Sequence, residues 1–422
     1  MKKKICQTLI ALTLLTLTGC AAEAENMAPI TEPVGEYAEE SIQRPVGDGE
    51  NISGNGTMLV GEFGEIERGQ QKVVFSYMDR YYESVSSLKA AELTDLFEDR
   101  SEADQMMNQA AWEYLIGIRA LQGENLKLDS FQYELTLQET QVLEDGGVRF
   151  KFNENSIQRF ARHPEIDTEI YNIVHTFVLT PGEDGWKIRA HWQEDGIYQN
   201  IIGEYRGVEP DKIPEAGTYF SRQKERLLSQ AREQLENRGR EHGSVSAPWI
   251  HYPYNREAAV AYAEKWVGKR NTAWEDFTGK GGNCQNFVSQ CLFAAGIPRD
   301  ISGDAVWSWS MSDSHMREDE VTSNAWINVA EFRRYVAENR GYGLVAVPDA
   351  PFMVGEPGDV IQMGFPGGWN HTVLISSVVK DEQGRTIDYL IHSNTSDVKN
   401  FPVSAYPIPC QSLTKIYGWR SR

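Results

Sequence analysis

The sequence predicts an α+β protein in which two folded regions follow an N-terminal leader. Three observations favour this class: helical spacing of apolar residues, then four runs with the two-residue alternation of strands, and later a glycine-rich turn that opens a helix ahead of a strand hairpin. At 422 residues the chain is too long for one ordinary core, and its 41% hydrophobic content is enough for two.

The charge of the chain limits its partners. The formal net charge is −20. Such a chain would be repelled by the phosphates of nucleic acids and of anionic lipids. We therefore expect no nucleic-acid partner.

Residues 1–20 have the order of a signal peptide. Lys2, Lys3 and Lys4 precede an uncharged run that ends in Leu17-Thr18-Gly19-Cys20. This order resembles the bacterial lipoprotein type with its lipobox, in which Cys20 would become the lipidated first residue. The alternative is a plain secretory signal with Cys20 incidental. No later segment approaches the roughly 18 apolar residues of a spanning helix. We expect a lipid anchor in the cell membrane, on its extracytoplasmic face.

The region after the leader divides by composition. Residues 21–60 are rich in Glu, Gly and Pro and predict a flexible tether. Residues 61–215 predict a smaller α+β domain of unknown role, with helices first and a curved antiparallel sheet after them. The apolar helix face holds Val73, Val74, Tyr77, Met78 and Tyr81, and the alternating runs are 131–137, 148–152, 173–179 and 186–192.

Residues 216–250 predict a helical connector and a linker. Charged and polar helix formers dominate 219–240, with sparse apolar residues, and small residues follow from Gly243. A mostly solvated helix and a flexible linker would separate two cores. We therefore place the second folded region at 251–422 and expect it to fold without the first.

The most informative motif is Gly281-Gly282-Asn283-Cys284-Gln285-Asn286-Phe287-Val288-Ser289-Gln290-Cys291. Its glycines end at a cysteine that opens an apolar, helix-compatible run. Free backbone N–H groups and the helix dipole at such a position favour thiolate. We predict Cys284 as a nucleophile, with a buried structural cysteine as the alternative, and Cys291 as a buried apolar residue. No Cys/His group has zinc-ligand spacing, so we expect no metal and no other cofactor.

A histidine further along the chain can supply the base. His371 begins a strand-like run, a turn at 381–385 follows, and the chain returns antiparallel at 389–394. A register centred on the turn brings the two ends together, so a polar residue there can fix the tautomer of His371. That residue is His392 or Asn394, and His392 is favoured. The two residues are two positions apart, so side-chain alternation places both on the same face of the strand and cannot separate them.

These residues resemble the putative amidase domain family, found mainly in Gram-positive bacteria and related to the papain-like NlpC-type and CHAP cell-wall hydrolases. Members typically carry Asp before the cysteine and Thr or a small residue after it, where this chain has Asn283 and Gln285. The resemblance implies a papain-like (NlpC/CHAP-type) domain whose nucleophile lies at a helix N-terminus packed on an antiparallel sheet. It spans about 252–422 and rests on Tyr254-Asn255-Arg256, the block 282–291, Gly358-Asp359-Val360-Ile361, His371 and Tyr389-Leu390-Ile391-His392.

The expected function is a surface-anchored, cysteine-dependent amidase or peptidase. Cys284 would attack an amide carbonyl to form a thioester, with His371 as base and then acid. Peptidoglycan or another wall-associated peptide is the expected substrate because of the location, and Trp369 is the candidate substrate-binding residue. Two alternatives stay open. One is a non-catalytic lipoprotein that binds a wall polymer or partner through the same fold, and the other is a transferase using the same thioester.

Overall fold

The computed structural model describes residues 54–61, 65–123, 126–238, 243–301, 306–309, 322–365, 367–408 and 410–422. Cys20, the rest of the predicted signal peptide and most of the predicted tether lie outside these residues. Helices combine with a sheet dominated by antiparallel pairs, which confirms the mixed α+β class. In the described part of the chain, no helix is both long and apolar enough to cross a membrane.

The N-terminal region (54–238) has the predicted order of helices and then a strand meander. Of the predicted apolar face of α1, Val74, Tyr77 and Met78 are buried, and Val73 and Tyr81 are partly buried against the same core. The four predicted strand runs fall within β2 to β5, while β1 and α3 were not predicted. The elements are β1 (Gly56–Leu59), α1 (Arg68–Ser87), α2 (Glu102–Ala120), β2 (Leu128–Val142), β3 (Val148–Phe160), β4 (Thr168–Gly182), β5 (Gly185–Gln193), α3 (Gly196–Ile202) and α4 (Ala216–Arg238).

The predicted connector is helical, and it packs on the N-terminal region. Phe220 and Leu227 of α4 are buried in the same apolar core as α1 and α2. The Nζ atom of Lys224 donates to Oε2 of Glu113 on α2 at 2.5 Å. The few apolar positions of α4 are thus enough to hold one of its faces against α2.

The C-terminal region (243–422) contains the predicted hairpin and a helix that begins at Cys284. The hairpin consists of β9 and β10, closed by the backbone N–H of Asp381 donating to the carbonyl of Arg385 at 2.9 Å. The elements are β6 (Tyr252–Pro253), α5 (Arg256–Trp266), α6 (Cys284–Ala294), α7 (Asn324–Ile327), α8 (Val329–Glu338), β7 (Gly343–Ala350), β8 (Val360–Phe365), β9 (Gly368–Lys380), β10 (Thr386–Ser393), β11 (Asp397–Pro402) and β12 (Cys410–Arg420).

One sheet runs through both regions. Among the described residues it has 12 strands, and β4 of the N-terminal region is the neighbour of β11 of the C-terminal region. Asp397 pairs with Tyr171 in this ladder, and the rings of Phe160 and Phe401 meet edge to face with centroids 5.7 Å apart. The larger apolar core contains residues of both regions, and a second core lies beneath α5, α6 and α8. The predicted boundaries near 215 and 250 stay a prediction.

A buried carboxylate joins two of the motifs that carried the family resemblance. Asp359 is fully buried and accepts from Nη1 of Arg256 at 2.8 Å and from the backbone N–H of Ile416 at 2.9 Å. The preceding Gly358 has φ +86°, and a Cβ there would lie 2.6 Å from the hydroxyl of Tyr254. These motif residues therefore fix the start of α5 against β8 and β12.

Candidate active site

Asn283, the residue before α6, holds the start of that helix in place. The backbone N–H of Asn283 donates to Oγ1 of Thr395 at 2.6 Å, and its side-chain nitrogen donates to Oδ1 of Asn394 at 3.2 Å. Its Oδ1 accepts from Nδ2 of Asn286 at 2.9 Å. Gly282 has φ +109°, a conformation that L side chains rarely adopt. The turn before Cys284 is therefore fixed to the chain that follows β10.

Cys284 is a buried thiol. It is the first residue of α6, as predicted, and only 5% exposed. Burial raises the pKa of its thiol above the ordinary 9.0, while the nearby backbone N–H groups of Thr372, Gln285 and Cys284 itself act in the opposite direction. The preference for thiolate expected at a helix start is outweighed by burial, which the local sequence does not reveal. At neutral pH the group is therefore a thiol.

His371 lies near the start of β9 with one ring nitrogen already engaged. It is 7% exposed, and burial lowers the pKa of its imidazole from 6.5 to about 4. Its Nε2 hydrogen-bonds with the Tyr406 hydroxyl at 2.7 Å and with Oγ of Ser393 at 3.2 Å. The rings of His371 and Tyr406 also stack, with centroids 5.2 Å apart. The ring is thus neutral at pH 7 and fixed in orientation.

The structure brings Cys284 and His371 into one neighbourhood. The backbone N–H of Thr372, the residue after His371, lies next to the Cys284 sulfur. The Tyr406 hydroxyl hydrogen-bonds His371, and its pKa is raised by burial and further by the charge that Cys284 carries as a thiolate. Cys284 at the start of α6 is thus next to the backbone of β9, the strand that carries His371, whose partner is Tyr406.

His392 and Asn394 do not contact the imidazole. His392 pairs with Leu374, an even-numbered residue of β9, so its side chain lies on the other face of the sheet from His371. Its Nδ1 accepts from the backbone N–H of Asn400 at 3.2 Å, and burial lowers its pKa to about 4. Asn394 instead supports Asn283 and donates to the carbonyl of Trp266 at 3.1 Å.

The two residues at Nε2 of His371, Ser393 and Tyr406, differ in whether the sequence could have identified them. A register centred on the turn at 381–385 pairs residue 392 with 374, which gives Ser393 the face of His371. Counting that parity would have identified Ser393. Tyr406 comes directly after the short 3₁₀ segment Val403–Ala405 that follows β11, and no local pattern connects it to β9. Sequence reasoning had no signal for it.

Trp369 is turned away from His371 by a bulge in β9. Met363 of β8 pairs with His371, but the next residue, Gly364, pairs with Trp369, so Asn370 is the extra residue. The guanidinium of Arg333 on α8 lies 4.1 Å above the Trp369 ring. The structure therefore places Trp369 against α8, and its part in substrate binding stays a prediction.

A cavity of about 330 Å³ opens beside the imidazole. From the C-terminal region, Gly281 of the turn before α6, Asn370, His371 and Tyr406 line it. Residues of β3 and α2 line it from the N-terminal region. Within the described ranges, no three residues of the His, Cys, Asp or Glu type are grouped so that they could hold a metal ion.

Comparison with known proteins places the C-terminal region in a family. Residues 253–417 match the Putative amidase domain family. The uncharacterized protein YhbB of Bacillus subtilis (strain 168) is 29% identical over 219 residues, which cover 50% of this chain and 61% of that protein. The uncharacterized protein YjcM of the same organism is 29% identical over 133 residues, which cover 29% of this chain and 28% of that protein. The chain thus spans less than two thirds of either relative. The C-terminal half of this chain carries a domain of the Putative amidase domain family.

Proposed function

We propose that the protein is a cysteine-dependent amidase or peptidase anchored on the outer face of the cell membrane. The observation that carries the proposal is the position of the Cys284 thiol, at the first residue of α6 and beside the strand that presents His371. The family match supports hydrolysis of amide bonds. The cysteine mechanism is our inference from the site.

The reaction begins from a thiol and a neutral imidazole. Because two hydroxyls engage Nε2 of His371, Nδ1 is the nitrogen we assign to proton exchange with Cys284. Nδ1 takes the thiol proton as the sulfur attacks the substrate carbonyl carbon. The oxyanion is then stabilised by the backbone N–H of Cys284, one of the N–H groups left without an intrahelical acceptor at a helix start.

The tetrahedral intermediate breaks down when His371 gives up the proton that it took from the thiol. The imidazolium of His371 donates its proton to the leaving nitrogen as the C–N bond breaks, which leaves a thioester on Cys284. Water then attacks the thioester carbonyl with His371 as base, releasing a carboxylic acid and restoring the thiol. Tyr406 and Ser393 accept from the Nε2–H of the transient imidazolium and so oppose the cost of charging a buried ring. Asn394 acts through Asn283 as a positioning residue, and His392 supports the sheet behind the site.

Peptidoglycan or another wall-associated peptide is the substrate we infer. The basic, apolar and Leu-Thr-Gly-Cys order at residues 1–20 supports a lipid on Cys20 and an extracytoplasmic location. The resemblance of the cysteine and histidine motifs to cell-wall hydrolases supports the same substrate. A protein held at the membrane surface would meet the wall as its nearest polymer of amide bonds.

Digestion of purified wall tests the proposal. The wild type should release new amino termini, which mass spectrometry of the soluble products identifies together with the bond cut. Cys284→Ala should release none, because the variant lacks the thiol that forms the acyl intermediate. Cys291→Ala is the matched control: it changes a buried cysteine of the same helix and should retain the rate. Full activity of Cys284→Ala would contradict the mechanism.

The burial of Cys284 favours one alternative, a wall-binding lipoprotein without turnover. In that case wild type and Cys284→Ala would both sediment with purified wall, and neither would release termini. Sedimentation together with release by the wild type alone supports the enzyme.

A further inference from the structure

The cavity beside His371 has two walls from different regions of the chain. Glu154, Ser156 and Gln158 are alternate residues of β3, so they share one face, and all three line the cavity. His371 and Tyr406 line it from the C-terminal region. A molecule in this cavity would therefore contact the N-terminal region and the proposed catalytic imidazole together.

A buried guanidinium in this cavity lacks partners. Arg119, in the last turn of α2, is 3% exposed, and within the described part of the chain its Nε and Nη1 have no hydrogen-bond acceptor. Its guanidinium carbon lies 5.2 Å from the centroid of the Phe160 ring. Burial lowers the pKa of Arg119 from its ordinary value, a sign that the environment does not compensate the charge. A guanidinium offers a fork of donors that fits a carboxylate.

The nearby acidic side chains are already engaged elsewhere. Glu154 is hydrogen-bonded by the Tyr82 hydroxyl, and its Oε2 lies 2.7 Å from Nε2 of His175. Asp195 caps α3, with Oδ1 accepting from the backbone N–H of Ile197 at 2.9 Å. Both carboxylates thus accept hydrogen bonds from other groups of the chain, and these bonds do not involve Arg119. They leave the positive charge of Arg119 for an acceptor from outside the chain.

The cavity also offers an unused acceptor. Nε2 of Gln158 donates to Oγ of Ser156 at 3.2 Å, whereas its Oε1 has no partner among the described residues. Gln158 precedes Phe160 by two residues on the same face of β3, and both Gln158 and Arg119 line the cavity. A donor fork and a nearby acceptor are complementary to a carboxylate that has an N–H group beside it.

We propose that this cavity binds a carboxylate of the substrate, with Arg119 as its partner and Gln158 accepting from a neighbouring N–H. The N-terminal region would then select peptides that carry a carboxylate close to the amide bond cut at Cys284. That the bound peptide is a substrate rests on the proposed amide hydrolysis. Binding itself does not require turnover.

Binding is measured on the full chain carrying Cys284→Ala, which removes hydrolysis. The probe is the mixture of soluble sugar-linked peptides released from purified peptidoglycan by a glycosidase, compared with the same mixture after chemical amidation of its carboxylates. Equilibrium dialysis with mass spectrometry should find the free carboxylates bound about 10- to 100-fold more tightly, the range for a charge-assisted hydrogen bond. Adding Arg119→Met should remove this preference.

Two further variants keep the test decisive. Arg189→Met removes a cation of β5 whose Nη1 is paired with Asp145 on the surface, and it should leave the preference unchanged. If Arg119→Met fails to fold, Gln158→Glu answers the same question, because its carboxylate would occupy the guanidinium and lower binding of the free mixture. Equal binding of free and amidated peptides, or a preference that survives both cavity variants, would overturn the proposal.

The outcome separates this inference from the proposed function. Wall hydrolysis by the wild type without carboxylate selectivity contradicts the cavity assignment alone. Carboxylate binding that depends on Arg119, in a protein whose wild type releases no termini, contradicts the hydrolase alone.

Discussion

Acidification should weaken the fold through His371. The buried imidazole has a pKa of about 4, against 6.5 for the ordinary group, so between these values the unfolded chain binds a proton that the folded chain does not. The free energy of unfolding therefore falls as pH falls from 6.5 to 4 and is no longer affected by this residue below that range. Each pKa unit corresponds to 1.36 kcal/mol, so the loss is about 3 kcal/mol.

Urea unfolding at pH 7 and pH 4 measures this effect. Other titrating groups also change stability in this range, but they are common to wild type and variant. His371→Gln should lose about 3 kcal/mol less than the wild type on acidification, because the variant has no imidazole to charge. The exposed His251 provides the control, and His251→Gln should follow the wild type. Parallel losses in wild type and His371→Gln would refute the assignment of a buried neutral imidazole.

Three further predictions concern the fold, the site and the anchor. Asp359→Ala should lower the free energy of unfolding by about 3 kcal/mol, because Arg256 loses its buried partner. Asp184 is exposed, so Asp184→Ala should have little effect on the urea midpoint. Tyr406→Phe should slow wall digestion about 10- to 100-fold with an unchanged melting temperature, by analogy with groups that orient a reactive histidine. An unaltered rate would show that this hydroxyl does not orient His371. Cys20→Ser should move the protein from the membrane to the soluble fraction or block processing, and unchanged membrane association would remove the lipoprotein hypothesis.

Local signals in the sequence predicted local structure well. The glycines before Cys284 and the apolar run after it predicted a helix start at that residue, and α6 begins there. The turn at 381–385 predicted the hairpin that carries His371. Each of these features depends on a few neighbouring residues, so the chain pattern is sufficient.

Features that depend on distant parts of the chain could not be predicted. The pairing of β4 with β11 and the hydroxyl of Tyr406 at His371 each join residues with no shared local pattern. Burial is also a tertiary property, which explains why the expected thiolate of Cys284 is a thiol in the fold. The side of the sheet taken by His392 is a different case, because the register centred on the turn at 381–385 already pairs residue 392 with 374 and so gives His392 the face opposite His371.

The polar residues that β3 contributes to the cavity could not be predicted from the sequence either. Glu154, Ser156 and Gln158 alternate with residues that include Asn155 and Arg159, so neither face of β3 is apolar at that point. The predicted alternating run therefore ends at 152, and the sequence does not identify the face of β3 that lines the cavity. Arg119 lies in an otherwise apolar helix turn, where a lone arginine gives no indication of its partners.

The central claim is that Cys284 forms a covalent acyl intermediate with the help of His371. It is tested most directly by acid-quenching the protein during digestion of purified wall and mapping modified peptides by mass spectrometry. We predict an acyl group on the peptide that contains Cys284, released by hydroxylamine as a thioester and absent from Cys284→Ala. Wall hydrolysis that proceeds with no adduct on that peptide, or that persists in Cys284→Ala, would contradict the account.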